Sequence, residues 1–242
     1  RRGKPAAPLG GRAVMQDTLP LVPLRIAVVG CGSSRQWYAG ALKEIPSARL
    51  AALVDPDLSV ARAWARQAGN PPCFTEFDEF LSKASADAVL IASPGELRLT
   101  QAMRALRAGL HVLCETPLGG APREIALLEE AVAGAKTSFV PAFPRRYDPV
   151  FESVRERIAR LDLGDTVQVR CDWGFYSGLS DRRSVLSSWR GVLTTNAWQT
   201  IDLCRWWLGE VRTVSADIDA PEGTRRDSLA SIILLHARGT SI

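Results

Sequence analysis

The sequence predicts an α/β fold: a doubly wound parallel sheet over residues 23–143, then a second, α+β domain over residues 144–242 built on an open, mainly antiparallel sheet. Three observations predict it. Short runs rich in Val, Ile and Leu, without polar alternation, recur between amphipathic segments, as strands covered by helices on both faces do. A glycine pair, Gly30 and Gly32, closes the first run and opens the first helix. Beyond about Asp148 the pattern turns to alternating apolar and polar residues, the period of a sheet with one covered face.

Each element has its own signal. Arg25–Val29 is a β-branched run ending at Gly30, and Arg35–Ile45 reads as a helix closed by Pro46. Leu50–Val54 is a strand ending at Asp55; Asp57–Ala68 is a helix stopped by Gly69-Asn70-Pro71-Pro72. Glu76–Lys83 is a short helix, Asp87–Ala92 a strand, and Glu96–Ala108 a helix with Gly109 at the position that favours a left-handed residue. Leu110–Cys114 (strand), Pro122–Ala135 (helix) and Thr137–Val140 (strand) complete the first domain. In the second, Asp148–Leu161 is a helix. Asp165–Trp173 is a half-exposed strand with Val167, Val169 and Cys171 on one face and Gln168, Arg170 and Asp172 on the other. Phe175–Arg190 is a loop, Thr195–Leu208 a helix ending at Gly209, and Val211–Ile218 and Ser228–Leu235 are strands.

Composition narrows the classes. With 46% hydrophobic and 23% charged residues the chain is an ordinary globular protein, and no run reaches the eighteen or so apolar residues of a membrane span. The net charge of +4 is spread over scattered arginines with no basic stripe, which speaks against nucleic acid. Five widely spaced cysteines form no C-x-x-C pair, so neither a disulfide framework nor a metal site is expected, and buried free thiols in a reducing cytoplasm are. Residues 1–22 carry Arg, Pro and Gly without apolar periodicity and are expected to be a mobile tail, with Met15 as a natural start; the sheet that stops at Ile242 is expected to be incomplete.

The segment Gly30-Cys31-Gly32-Ser33-Ser34-Arg35 follows a strand and opens a helix. The first glycine permits the tight turn, the second lets backbone approach a pyrophosphate, and the helix N-terminus presents unpaired N–H groups to it. Asp55 ends the next strand, where a carboxylate accepts from both ribose hydroxyls and repels a 2′-phosphate. NAD is therefore expected rather than NADP, on a Rossmann domain. Arg35 stands where the motif carries a third small residue, so its side chain must swing outward or shift the helix.

Three further segments carry a resemblance: Ile91-Ala92-Ser93-Pro94; Ala108-Gly109-Leu110-His111-Val112-Leu113-Cys114-Glu115-Thr116-Pro117-Leu118; and Thr200-Ile201-Asp202-Leu203 with Trp207-Leu208-Gly209-Glu210-Val211. In this order, from Leu24 to about Leu235, the chain resembles the glucose–fructose oxidoreductase / inositol dehydrogenase (Gfo/Idh/MocA) family. The resemblance implies a C-terminal open sheet used for homo-oligomerisation, a nicotinamide lying between the domains, and a sugar- or cyclitol-like ligand. It adds Ser93, Pro94, Glu115 and Pro117 to the cofactor site of Gly30, Gly32, Ser33, Ser34, Arg35 and Asp55.

The departures bear on chemistry. The family pattern has Glu-Lys-Pro where this chain has Glu115-Thr116-Pro117, and an Asp and a His four residues apart where it has Thr195 and Gln199. None of these three titrates near neutrality, and general-base help is worth about 10²–10⁴-fold. The segment between Trp189-Arg190 and Gly191 is nearly lost, and Arg98 stands where relatives often carry His. Asp202, one turn beyond Gln199, and Tyr176 are the remaining candidates to move a proton; Asp202 also suits a structural hydrogen-bond role. Tyr147 and Asp172 are weaker candidates. Arg145-Arg146 and Arg182-Arg183 suit either solvated loops or an anionic ligand, Trp189 and Trp198 either core or pocket lining, and His111 and His236 sheet packing. Three readings remain: an NAD-dependent oxidoreductase for a sugar or cyclitol with altered machinery, a noncatalytic dinucleotide- or sugar-binding sensor or partner subunit, and a vestigial protein.

Overall fold

A computed structural model describes residues 22–32, 35–118, 121–162, 164–172, 191, 193, 197–220, 229–236 and 239–241. Chain elements run β1 (Leu24–Val29), α1 (Arg35–Glu44), β2 (Ala48–Val54), α2 (Leu58–Ala65), β3 (Cys73–Phe74), α3 (Phe77–Lys83), β4 (Ala88–Ile91), α4 (Gly95–Arg107), β5 (His111–Cys114), α5 (Pro122–Gly134) and β6 (Phe139–Pro141). A 3-10 turn (Pro144–Tyr147) leads to α6 (Pro149–Arg160), β7 (Gln168–Val169), α7 (Trp198–Leu208), β8 (Val211–Asp219), β9 (Leu229–His236) and β10 (Gly239–Ser241).

β1 to β6 form a six-stranded parallel sheet in the order β3-β2-β1-β4-β5-β6, the doubly wound topology the sequence predicts. Its central strands are buried on both faces: Ala27, Val28, Ala52, Leu53 and Ile91 are inaccessible to solvent. Each such Val, Leu or Ile contributes about 1.5–3 kcal/mol by leaving water. Trp64 on α2 packs over Val28, Leu53 and Leu90, with Tyr38 and Leu42 of α1 against the same cluster. Asp57 caps α2 by accepting from the Ser59 N–H at 2.9 Å.

By internal contacts the chain divides into two compact units: the chain up to Ser93 with Arg104–Val112 and Ala135–Ser138, and Pro94–Met103 with Leu113–Gly134 and the chain from Phe139 onward. The second unit holds a four-stranded sheet, β7-β10-β9-β8, antiparallel except for the β10–β7 pair. α6 starts at Asp148, whose carboxylate accepts from the Val150 N–H, and stops at Leu161 in the left-handed region (φ 60°). No described helix is long and apolar enough to cross a membrane.

Several elements depart from expectation. Of the expected Asp165–Trp173 strand, the described residues 165–172 are strand at Gln168–Val169, which pair with Thr240 and Ser241; Val167 is 81% exposed, and Trp173 lies outside the described residues. β3, β10 and the 3-10 turn are too short to leave a periodic signal. His111 is exposed rather than packed in the sheet: it begins β5, and its Nδ1 accepts from the Ser138 N–H at 3.1 Å. His236 is buried in the sheet as expected, as are the free thiols of Cys31, Cys114 and Cys204. Residues 1–21 of the expected tail, the Phe175–Arg190 loop, Trp189 and Arg182-Arg183 lie outside the described residues.

Candidate functional site

In the first unit β1 ends in a turn built around Gly30. Its φ is +89°, and a Cβ there would lie 2.6 Å from the Ser93 backbone nitrogen and 2.7 Å from the Ala92 carbonyl carbon, so no other residue fits. Asp55, at the tip of β2, ties this turn down: its Oδ2 accepts from the Cys31 N–H at 2.7 Å and its Oδ1 from the Asp57 N–H at 2.9 Å. A carboxylate offers about four lone-pair sites, so both oxygens keep capacity for hydroxyl donors.

Gly32 has a different reason. It is exposed, its backbone is not left-handed, and a Cβ there would meet nothing within 4 Å. Nothing inside the described protein requires glycine at this point. α1 begins at Arg35 with no acidic residue in its first turn, so the partial positive charge of its N-terminus favours an anion. Arg35 does not prevent α1 from forming; its side chain, with Ser33 and Ser34, lies outside the described set. Gly30, Gly32 and Asp55 therefore fit a dinucleotide. Ser93 is buried beside Gly30, and Pro94 is exposed.

The second unit contains a cavity of about 260 Å³ lined by Thr116, Pro117, Leu118, Ile125 and Phe143 from one stretch of chain and by Trp198, Ile201, Asp202 and Arg205 of α7. Phe143 and Trp198 contact one another with ring centroids 5.5 Å apart. Thr116 is 8% exposed, and its hydroxyl donates to the Ala142 carbonyl at 2.9 Å. Beside it the Glu115 carboxyl is raised by burial, opposed in part by a hydrogen bond from the Thr116 backbone. The Cys114 thiol is pushed up to about 12 by burial. Arg98 reaches over with Nη1 3.3 Å from the Pro117 carbonyl, and burial draws its pKa down.

Consecutive arginines on the 3-10 turn hold the start of α7. Arg145 Nε donates to Gln199 Oε1 at 2.6 Å, while Arg146 donates from Nε and Nη2 to the two oxygens of Asp202, at 2.7 and 2.5 Å. Asp202 in turn raises the Arg146 pKa. Gln199 and Asp202 thus share one helix face, as their spacing implies, but both are bound to protein cations. The sequence left Arg145 and Arg146 between solvent and an anionic ligand; their intramolecular partners were the signal it did not carry. Phe143, Ile125 and Ile201 are further lining residues that sequence reasoning missed. Tyr147 is 79% exposed, Asp172 is exposed and paired with Arg170, and Thr195 and Tyr176 lie outside the described residues.

Comparison with known proteins adds relatives to this geometry. Residues 24–142 match the oxidoreductase family with an NAD-binding Rossmann fold, GFO_IDH_MocA, and residues 151–242 match the GFO/IDH/MocA C-terminal domain. An inositol 2-dehydrogenase of Corynebacterium glutamicum is 28% identical over 201 residues, 82% of this chain and 58% of the relative. Inositol 2-dehydrogenase 4 of Saccharopolyspora erythraea is 28% identical over 219 residues, 86% of this chain and 63% of the relative. The chain thus spans about three fifths of the length of these curated relatives. Among solved structures, the WlbA dehydrogenase of Bordetella pertussis in complex with NADH and UDP-GlcNAcA superimposes with a TM-score of 0.82 at 21% identity, covering 90% of this chain and 70% of that one. The scyllo-inositol dehydrogenase of Lactobacillus casei with bound NAD(H) and scyllo-inositol gives 0.77 at 23%, covering 90% and 68%. Through these two consecutive domain matches, the chain belongs to the GFO/IDH/MocA oxidoreductase family, with its NAD-binding Rossmann fold followed by the family's C-terminal domain.

Proposed function

We propose that this chain binds NAD and a sugar- or cyclitol-like ligand, and that its capacity to oxidise a secondary alcohol is weakened. Residues 23–143 serve as the dinucleotide domain and 144–242 as the ligand and self-association domain. Gly30, Gly32 and Asp55 hold the phosphates and a ribose; an acidic residue at position 55 favours NAD over NADP. When bound, NAD supplies the hydride acceptor. The Phe143–Trp198 pair offers aromatic surface to the apolar face of a ring, and exposed Leu229, Ile233 and Leu235 on one face of β9 offer surface for a second copy.

One observation carries the weakened chemistry: the polar groups around the cavity are engaged with protein. The Thr116 hydroxyl is spent on the Ala142 carbonyl, and both oxygens of Asp202 are spent on Arg146. Residual proton movement falls to Asp202 and Tyr176. The same engagement favours, as a second reading, a noncatalytic relative acting as sensor or partner subunit.

Calorimetric titration with NAD, then with myo- or scyllo-inositol, followed by an NADH-formation assay, separates these readings. NAD binding with turnover well below about 1 s⁻¹, the lower edge of ordinary enzymes, is expected. Folded protein that ignores NAD removes the cofactor assignment; ordinary turnover removes the weakened chemistry. Binding of both ligands with no NADH at all favours the sensor.

A further inference from the structure

The four-stranded sheet and α7 enclose a line of polar groups that the cavity does not use. His236, Ser241 and Cys204 are 1%, 2% and 3% exposed. His236 Nδ1 lies 2.8 Å from the Gly209 carbonyl, which only accepts, so Nδ1 carries a proton and donates it. His236 Nε2 lies 2.8 Å from Ser241 Oγ, and Ser241 hydrogen-bonds in turn to the Cys204 sulfur. Cys204 Sγ lies 3.8 Å from Cys171 Sγ, and both are free thiols.

In the neutral arrangement the Cys204 S–H donates to Ser241 Oγ and the Ser241 O–H donates to His236 Nε2. Shifting both protons along the line leaves a Cys204 thiolate, a serine hydroxyl donating to it, and an imidazolium with both N–H groups bonded. Packing alone does not ask for this: apolar residues at 236 and 241 would fill the space without a buried polar network. The hydrogen bonds from Cys171 and Ser241 hold the Cys204 thiol below its ordinary range despite burial, opposite in direction to Cys114. Cys171 follows β7 and is partly exposed.

We propose that Cys171 and Cys204 are a redox-active dithiol, closed to a disulfide by small organic disulfides, with Ser241 and His236 as the line that takes the Cys204 proton. The Cys171 thiol, held above its ordinary range by its hydrogen bond to Cys204 and by burial, loses its proton to solvent and its sulfur attacks one sulfur of the organic disulfide, giving a mixed disulfide and releasing one thiolate. The Cys204 thiolate then attacks Cys171 Sγ, and the second thiolate leaves. Two cysteines are oxidised by two electrons, one organic disulfide is reduced to two thiols, and the two cysteine protons end on those thiols. The sulfurs close from 3.8 Å to about 2.05 Å. The bond fastens α7 two residues beyond Asp202, on the helix that lines the cavity, so the redox state reaches the ligand site.

The test incubates the whole chain with glutathione disulfide, quenches with acid, blocks remaining thiols under denaturing conditions and maps peptides without reduction. A Cys171–Cys204 linked peptide, reopened by dithiothreitol, with the other three thiols blocked, is expected. Cys171→Ser and Cys204→Ser each remove it. Ser241→Ala slows closure at least tenfold, and Ser241→Thr, which keeps the hydroxyl, restores it; circular dichroism confirms folding of each variant. Full blocking of all five cysteines, or glutathione retained on Cys171 without a cross-link, overturns the dithiol. Equal closure rates in Ser241→Ala and the native chain overturn the relay.

Discussion

Arg146 grips both carboxylate oxygens of Asp202 while its guanidinium lies over the rings of Phe143 and Trp206, with centroids 5.1 and 5.9 Å away. An acid placed at a candidate site is thereby built into the wall of the cavity. The pair joins the 3-10 turn to the first turns of α7.

The two halves of this pair are unequal. The Asp202 side chain is 7% exposed and that of Arg146 36%. Arg146→Ala strands a buried carboxylate and is expected to lower stability by about 2–3 kcal/mol, below the range for fully buried pairs because Arg146 is partly wet. Asp202→Asn leaves the guanidinium access to water and is expected to cost about half as much. Urea unfolding of both variants checks the order; equal costs would contradict it.

Gly30 and Gly32 separate folding from ligand binding. Gly30→Ala forces Cβ against the Ser93 and Ala92 backbone at a positive φ and is expected to destabilise the fold by about 2 kcal/mol or more. Gly32→Ala meets no atom of the described protein. It is expected to leave the melting temperature within a degree or two while weakening NAD at least tenfold by calorimetry.

Asp87 receives the Arg25 backbone N–H and two nitrogens of its guanidinium, and these bonds lower its pKa from 3.8 to about 2. A depressed carboxyl pKa contributes stability that is complete above the unfolded value and fades as pH falls through the folded one. Both side chains are about a third exposed (32% and 35%), so screening holds the contribution to about 1 kcal/mol. Asp87→Asn is expected to lower stability at pH 7 and to flatten its decline between about pH 4 and pH 2, read from acid-dependent urea midpoints.

Much of the fold was legible because the parallel strands carry unbroken apolar runs: β1, β2 and β4 lie where their sequences place them, and Gly30 and Asp55 meet through the Cys31 N–H. Periodicity fails where few residues decide an element. β3 and β7 are two residues long, and Val167, expected within the Asp165–Trp173 strand, lies outside β7 and is exposed. His111 reads as a core residue because it begins an apolar strand and matches a structural position of the family the chain resembles, yet it is exposed. Thr116, Thr195 and Gln199 are legible as departures from the pattern the chain resembles, whereas the capture of Gln199 and Asp202 by Arg145 and Arg146 is a contact across more than fifty residues that no local pattern announces.

Single-turnover NADH formation with a saturating cyclitol, compared between the native chain and Thr116→Lys/Thr195→Asp/Gln199→His, tests the central claim most directly. If the native cavity binds ligand but lacks a group to take the hydroxyl proton, the triple variant forms NADH at least about 100-fold faster, within the range that general-base catalysis supplies. Equal rates in the two proteins, with NAD bound and both folded, would contradict it.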